Sequence, residues 1–291
     1  MNALPEWMNR SWTSDAHRWT PEGLALLRIF TALFIGCLLV PPSRGASPLW
    51  IASVPAEFFA PPPGPLALLT GFPEAWGIRA VRMATWLALL AMGAGWRTRG
   101  ASLLAGAGIL MLQGMEYTVG KINHEMVLPL VPLLFSGSGW GRRWSVDAAL
   151  ARPAASSNAW SATKANPQPA THPPALPAAV PTLALLIGFM MFTAGVPKLI
   201  GGWLDPGSQA ALGHVLNQQV SKGRDVLLSG RAAAIDLPLF WELADWGTVM
   251  FELGFLPAAF HPRWFRWFLA AAVGFHTATL LTLNIAFLPN F

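Results

Sequence analysis

Long blocks of apolar residues, separated by short stretches with Pro, Gly and Arg, run through this sequence from residue 24 to residue 288. Blocks of this length are buried either in a protein core or in a lipid bilayer. Charged residues make up 11% of the 291 residues, against about 25% in an average soluble domain. The mean hydropathy is +0.45. Too few charged side chains are present to cover a water-soluble surface, so the sequence predicts a membrane protein.

Seven apolar blocks are candidate membrane-spanning helices, since a span needs roughly 17 to 25 residues. They lie at 24–40, 79–95, 101–119, 122–136, 180–200, 241–260 and 266–288. The block 122–136 contains Asn123, His124, Pro129 and Pro132, so we expect neighbouring helices to shelter its backbone. The predicted fold is all-α, a polytopic membrane helix bundle of about seven spans with interfacial loop elements.

The stretch 153–179 is rich in Ala, Pro, Ser and Thr, which is typical of a flexible linker. It separates an N-terminal membrane half, residues 1–152 with four spans, from a C-terminal membrane half, residues 180–291 with three. The loops 41–78 and 201–240 are too polar or too rich in Pro to span. We expect loop 41–78 to be stiff and to include an interfacial helix that carries Trp50, Phe58 and Phe59.

The positions of Lys and Arg predict the orientation. With seven spans, ten of the 19 lie on the side of the N-terminus and seven lie on the other side, mostly in long loops. The N-terminus is therefore predicted to be cytoplasmic, in the cell membrane if the chain is bacterial. Polar residues interrupt the first twenty positions, so we expect no signal peptide there. The formal net charge of +5 fits a lipid surface, and no nucleic-acid partner is expected.

Ionisable residues inside predicted spans are costly unless they pair or meet water, so each marks a candidate functional site. The set comprises Arg28, Glu116, Lys121, His124, Glu125, Lys198, Glu252 and His276, with Asn123 and Asn284 as polar companions. We expect two lysines, two histidines and two asparagines of this set to converge in the outer half of the bundle. The alternative is that these residues pair with one another and only hold helices together.

Lys198 is the predicted general base. Its ammonium would lose hydration in a low-dielectric pocket, which would leave a neutral amine able to accept a proton. The alternative is that the side chain reaches the headgroups as an ordinary ammonium. His124 and His276 are candidates to stabilise an anion or relay a proton. No metal site is predicted, because His124 and Glu125 lack the spacing of helical metal ligands.

Several stretches resemble the HTTM family, the transmembrane domain shared with vitamin K-dependent gamma-carboxylase. These are LLRIF at 26–30, GKINHEMVL at 120–128, WSVDA at 144–148, FTAGVPKLIGGWLDPGS at 192–208 and GFHTATLLTLNIAF at 274–287. Their order and spacing match as well. The resemblance implies that Lys198 is the base that initiates hydroquinone oxidation, with catalytic roles for His124 and His276 and a site that faces outward.

The same resemblance implies a quinone or hydroquinone cofactor such as vitamin K, with CO2 as co-substrate if the reaction is a carboxylation. Membrane lipid and a peptide or protein substrate on the outer face are the expected partners. The candidate cofactor-binding residues are Lys121, Asn123, Glu116, Asn284 and Trp203. The leading hypothesis is therefore an enzyme that couples proton abstraction to hydroquinone oxidation.

Two other interpretations stay open at this point. The buried polar cluster could bind a lipid, a quinone or a small solute in a transporter or an accessory subunit, with Lys198 as a fixed counter-charge. The chain could also be a structural membrane scaffold. The protonation of Lys198 separates the first two, because a base must lose its proton and a counter-charge must keep it.

Overall fold

The computed structural model describes residue 12 and residues 20–39, 48–62, 64–118, 127–151, 178–222 and 228–283. Throughout these ranges the regular elements are helices, and no strand occurs. The α-helices are α1 Pro21–Leu39, α2 Ala75–Ala94, α3 Thr98–Glu116, α4 Val127–Phe135, α5 Val146–Leu150, α6 Ala179–Ile200, α7 Ala210–Lys222, α8 Ser229–Ala233, α9 Pro238–Ala258 and α10 Pro262–Leu283. The all-α prediction is confirmed.

Two of the described helices are long and apolar enough to cross a membrane, over Pro21–Leu38 and Ala179–Ile200. Helices α2, α3, α9 and α10 are 19 to 22 residues long but less apolar. Helix α4 has nine residues. At the helical rise it extends for about 14 Å, which is less than half of a bilayer's hydrocarbon core. The residues before it, 119–126, lie outside the described ranges, and the count of seven spans stays a prediction.

The chain divides into two compact units. The N-terminal unit is Arg18–Val180, and the C-terminal unit is Pro181–Phe291 together with Met1–His17. Almost all of the predicted linker, 153–179, lies outside the described residues. The boundaries predicted for the two membrane halves therefore stay predictions.

Short sequence signals fix the ends of the helices in the N-terminal unit. Thr20 precedes Pro21 and Glu22, and its side-chain oxygen accepts a hydrogen bond from the Gly23 amide at 3.0 Å, which caps α1. Helix α2 ends at Gly95, whose φ of 73° lies in the left-handed region that favours glycine. The Trp96 amide then donates to the Ala91 carbonyl at 2.9 Å. This closing bond turns the chain directly into α3.

Glycines allow α3 to pack closely against its neighbours. A side chain at Gly106 would overlap Leu133 of α4, and one at Gly108 would overlap Thr85 of α2. The segment 48–68 packs on the same pair of long helices through Ile51, which joins a buried cluster on α2 and α3. This segment consists of three short 3₁₀ helices, Pro48–Ser53, Ala56–Phe58 and Gly64–Leu68. The expected interfacial helix is thus three short turns, which expose Trp50 and Phe58 while Phe59 contacts Phe72.

In the C-terminal unit, helices α9 and α10 meet through phenylalanine rings. Phe251 stacks on Phe268 at 5.8 Å between ring centroids and touches Phe275 at 5.1 Å. Helix α6 packs on α9 where it carries glycine. Gly195 lies so close to Glu252 and Leu253 that a Cβ there would be 3.0 to 3.1 Å from their side chains. Small residues on α6 therefore allow close approach to the face of α9 that carries a carboxylate.

Arg28, one of the ionisable residues predicted within a span, is completely buried in the N-terminal unit. Its guanidinium donates to the backbone carbonyls of Trp140 at 2.8 Å, Arg143 at 3.4 Å and Trp144 at 2.5 Å. Trp140 is itself anchored, since its indole N–H donates to Ser102 on α3 at 3.2 Å. Arg28 thus has a structural role, because one side chain satisfies the carbonyls of a tightly turned segment.

Asp147 holds the same turned segment against the start of α3. Its carboxylate accepts hydrogen bonds from the amides of Arg97 at 2.7 Å and Thr98 at 2.8 Å, and from the Thr98 hydroxyl at 2.7 Å. Burial alone would raise the pKa of Asp147. The hydrogen bonds from Thr98 and Arg97, and the charge of Arg28, outweigh burial and lower the pKa below its usual value.

We expect Arg28→Lys to lower the free energy of unfolding by about 2 kcal/mol, because a single ammonium cannot satisfy carbonyls that a guanidinium bridges. Thermal unfolding in detergent, followed by tryptophan fluorescence, measures the change. Arg79→Lys on the exposed surface of α2 is the matched control and should be neutral. Equal midpoints of thermal unfolding for the wild type and Arg28→Lys would contradict the structural role assigned to Arg28.

Asp147→Asn should lower the free energy of unfolding by about 1 kcal/mol at pH 7, as the loss of a helix cap does. The folded pKa lies below the unfolded value of 3.8, so the stabilisation is present above that value and disappears as the pH falls through the folded pKa. The difference in melting temperature between the wild type and Asp147→Asn should therefore close below about pH 4. A difference that persisted in acid would show that the charge of Asp147 is irrelevant.

Candidate functional site

Four of the predicted site residues fall in the described part of the chain. Lys198, Trp203 and His276 belong to the C-terminal unit, and Glu116 is the last residue of α3 in the N-terminal unit. Lys121, Asn123, His124 and Asn284 lie outside the described residues. The candidate site is therefore built around Lys198, and the predicted convergence of two lysines with two histidines stays a prediction.

The end of α6 determines what surrounds Lys198. The Gly201 amide donates to the Pro197 carbonyl at 2.8 Å, and the Trp203 amide donates to the Lys198 carbonyl at 3.2 Å. Gly202 between them has a φ of 79°. These bonds form the glycine-dependent helix end in which the residue after the glycine folds back over the last turn. The sequence Gly-Gly-Trp thus brings the Trp203 ring to 5.5 Å from the Lys198 ammonium nitrogen.

Lys198 forms a partly buried ion pair with Glu252 of α9. The Lys198 Nζ atom lies 2.7 Å from Oε1 and 2.5 Å from Oε2 of Glu252, and it also donates to the Ala194 carbonyl at 3.2 Å. The two side chains are 24% and 7% exposed. Lys198 is thus one half of a charge pair. Desolvation of an isolated amine, the basis of the predicted neutral base, does not describe this environment.

Trp203 contacts two other side chains of the site through its indole ring. One is the Lys198 ammonium, and the other is the His214 imidazole on α7, whose ring centroid is 5.2 Å from that of Trp203. Trp203 is half-buried and His214 is exposed. The stretch around His214, predicted as a polar outward loop, forms helix α7. The Trp203 indole therefore lies beside the ammonium of the Lys198–Glu252 pair, and the exposed His214 ring packs against the indole.

Three carboxylates of helix α9 contact the region that runs from the end of α6 to the start of α7. Glu252 pairs with Lys198, Glu242 accepts from the Gly207 amide at 3.2 Å, and Asp245 caps the start of α7. The completely buried Asp245 accepts from the amides of Ala210 at 2.8 Å and Ala211 at 2.7 Å. It also accepts from the Ser208 hydroxyl at 3.2 Å.

Sequence reasoning did not identify Asp245 or Glu242, and it left Glu252 without a partner. A usable signal was present, because residues 242, 245, 249 and 252 follow the helical period and so lie on one face of α9. The Ser208 hydroxyl lies 2.9 Å from the Trp203 carbonyl oxygen as well as 3.2 Å from Asp245, and its single hydrogen is shared between these two acceptors. The loop that positions Trp203 is therefore fastened to the same helix that pairs with Lys198.

His276 is 3% exposed on α10, with its ring 5.3 Å from that of Phe275. Its helix packs against α9, which carries Glu252. The described residues contain no group of three or more His, Cys, Asp or Glu side chains that could hold a metal ion. The chemistry that this site can support is therefore that of an ammonium–carboxylate pair beside an indole ring.

A separate apolar cavity of 280 Å³ lies between α1 and α2 in the N-terminal unit. Small residues open it, and Trp86 and exposed Cys37 are among its lining residues. A site for a specific ligand combines apolar walls with a few polar groups that fix orientation. The lining side chains here are apolar apart from the thiol of Cys37 and the indole N–H of Trp86, and none is charged, so this cavity is not the candidate cofactor site.

Comparison of the chain with models of known protein families, with curated proteins and with solved structures finds no match. The similarity to the HTTM family rests on the sequence stretches quoted above and stays a prediction.

Removing one partner of the Lys198–Glu252 ion pair should lower the free energy of unfolding. Lys198→Met leaves the Glu252 carboxylate buried without its partner and should lower the free energy of unfolding by about 3 kcal/mol. The double variant Lys198→Met/Glu252→Met removes both charges and should recover most of this loss. Thermal unfolding of the wild type, both single variants and the double variant gives the coupling between the two side chains. Additive effects would show that the pair does not interact.

Proposed function

We propose that this chain is a multi-pass membrane protein of about seven spans. Apolar side chains are exposed and polar side chains are buried on α9 and α10, which is the reverse of the distribution in a soluble protein. This supports the proposal even though both helices are less apolar than α6. Leu243 and Trp267 are 62% and 72% exposed, whereas Asp245, Glu252 and His276 are at most 5% exposed. In water, such a surface would favour aggregation. In a bilayer, lipid covers the apolar side chains and the buried polar groups satisfy one another.

The distribution of Lys and Arg supports a cytoplasmic N-terminus. With seven spans, the end of α6 then lies at the outer side of the membrane, together with Lys198 and Trp203. The loop 201–209 and helix α7 follow on that side. A lipid-soluble molecule would reach the ion pair from the outer leaflet, and a peptide or protein would reach it from outside the membrane.

The function that the geometry supports best is proton abstraction from a lipid-soluble hydroquinone. The observation that carries this proposal is the contact of Lys198 Nζ with both carboxylate oxygens of the buried Glu252. A neutral ion pair can accept one further proton. Nζ first passes one of its protons to Glu252 and becomes a neutral amine. The hydroquinone O–H bond then breaks, and its proton goes to the Nζ lone pair.

After this transfer the hydroquinone is an anion and the pair carries one positive charge, so charge is balanced within the site. The Trp203 indole, which already contacts the ammonium and the His214 ring, would be an apolar boundary beside the hydroquinone. Dissolved dioxygen would then take two electrons from the anion, which is a stronger reductant than the neutral hydroquinone. With the remaining O–H proton and the proton held by the pair, it would become hydrogen peroxide, leaving the quinone and the original ion pair. Glu252 thereby supplies the proton acceptor that an isolated, desolvated Lys198 was expected to be.

The resemblance to the HTTM family adds details to this proposal. It gives vitamin K as the quinone, CO2 as co-substrate if the reaction carboxylates, and a peptide or protein as substrate on the outer face. It also assigns catalytic roles to His124 and His276. These details rest on the quoted sequence stretches alone.

A second candidate function is binding without catalysis. The ammonium of Lys198, held by Glu252 and facing Trp203, would act as a permanent counter-charge for an anionic lipid, quinone or solute. The two functions differ in whether Lys198 accepts a proton from the ligand or keeps a permanent positive charge. Arginine at position 198 keeps the positive charge but cannot accept a proton, so it preserves binding and abolishes proton abstraction.

The purified chain should oxidise reduced vitamin K in air, followed as quinone absorbance. Lys198→Ala, Lys198→Arg and Glu252→Gln should each lower the rate at least about 100-fold, the contribution expected of general base catalysis. Glu242→Gln is the matched control. It removes a carboxylate from the same face of α9, yet its amide oxygen can still accept from Gly207, and its rate should equal that of the wild type.

Turnover by Lys198→Ala at the wild-type rate would end the catalytic assignment. Mass spectrometry of small molecules retained by the wild type and by Lys198→Arg separates the two functions. A quinone retained by both proteins, with oxidation lost only in Lys198→Arg, supports catalysis. Retained ligand without any oxidation by the wild type supports binding alone.

A further inference from the structure

One end of the N-terminal unit exposes arginine and tryptophan side chains together. The surface is formed by the turn between α2 and α3 and by the segment that precedes α5. Its members are Trp96, Arg97, Arg99, Arg142 and Trp144, hereafter the Trp–Arg surface. All five are exposed, and the two tryptophans are 52% and 55% accessible. Arg97 also lies over the Trp96 ring at 5.8 Å.

The backbone beneath the Trp–Arg surface is fixed from two sides. Arg28 binds the carbonyls of the segment before α5, and Asp147 binds the amides that begin α3. The Asp147 amide also donates to the Gly95 carbonyl at 3.0 Å, which joins the two parts of the surface directly. The exposed side chains therefore stand on one rigid platform rather than on independent loops.

Two residues of the surface have left-handed backbones. Arg97 has a φ of 44° and Trp144 a φ of 47°, in a region that residues with a side chain rarely adopt. Each such residue costs of order 1 kcal/mol or more and persists only where its surroundings over-determine it. The fold therefore maintains strained backbone at the two places where an arginine and a tryptophan are exposed.

Two acidic groups in the described part of this end are already engaged. Asp147 caps α3, and Glu22 pairs with Arg143 at 3.2 Å. Among the described residues, no carboxylate lies within ion-pair distance of Arg97, Arg99 or Arg142. The surface therefore carries excess positive charge beside exposed indole rings.

The position of α1 indicates what this surface meets. Glu22, which touches Arg143, lies in the first turn of α1, one of the two helices apolar enough to span a membrane. If α1 crosses the bilayer, its first turn lies at the level of the headgroups. Tryptophan favours that level, and arginine there attracts anionic lipid.

We propose that the Trp–Arg surface binds the phosphate headgroups of anionic phospholipids. The proposal rests on the membrane placement proposed above and is independent of the chemistry at Lys198. Arg97, Arg99 and Arg142 contact the phosphates, and Trp96 and Trp144 lie at the boundary between headgroups and acyl chains. Arg28 and Asp147 contribute indirectly, since they hold the platform in shape.

The test compares phosphatidylglycerol with phosphatidylcholine added to the purified full chain in a non-ionic detergent. Native mass spectrometry counts the bound lipid, and the thermal midpoint reports stabilisation. The wild type should bind phosphatidylglycerol preferentially, and added salt should weaken that preference. Arg97→Gln/Arg99→Gln/Arg142→Gln should weaken phosphatidylglycerol binding about 100-fold and leave phosphatidylcholine binding unchanged.

Arg99→Gln/Arg142→Gln, which leaves the left-handed Arg97 intact, should show an intermediate loss even if the triple variant folds poorly. Arg79→Gln is the matched control, because it removes an exposed arginine near the opposite end of α2 and should bind like the wild type. A wild type without preference for phosphatidylglycerol, or an equal loss in Arg79→Gln, would overturn the proposal. A chain that binds neither lipid would instead contradict the membrane placement.

Discussion

A charged side chain buried in an apolar helix bundle needs a partner within the protein, and this constraint determines both units of the structure. In the N-terminal unit, Arg28 is completely buried and binds the backbone carbonyls of a turned segment. In the C-terminal unit, Lys198 binds the carboxylate of Glu252. Backbone carbonyls cannot take a proton from the Arg28 guanidinium, whereas an ammonium and a carboxylate are two groups between which a proton can move. The first contact is structural, and the second is the contact on which the proposed proton transfer rests.

Local sequence signals predicted a substantial part of this arrangement. Apolar blocks gave the approximate positions of the long helices, and Lys198 and Trp203, five positions apart, were identified as site residues and are close together. The contact depends on a glycine-dependent helix end, which Gly-Gly-Trp encodes within three residues. Signals of this kind are readable because the partners are neighbours in the chain.

The remaining part depends on pairings between distant positions, which local spacing does not contain. Lys198 and Glu252 are 54 residues apart, so the sequence could present both as costly charges without joining them. Arg28 was grouped with candidate functional residues for the same reason, since its backbone acceptors follow more than a hundred residues later. Asp245 was overlooked although it lies in the predicted span 241–260, and the amides that it caps lie 35 and 34 residues earlier in the chain.

Helix α9 contacts the site through two buried carboxylates that lie seven residues apart on one face. Asp245 fixes the start of α7, and Glu252 fixes the end of α6. Rotation of α9 about its axis, or a slide by one turn, would break both sets of bonds together. The distance between the ammonium and the carboxylate is therefore set before any ligand arrives. A proton that moves across this short, fixed gap requires little reorganisation of the surrounding dipoles, which is the condition under which a polar site in a low-dielectric medium transfers charge most readily.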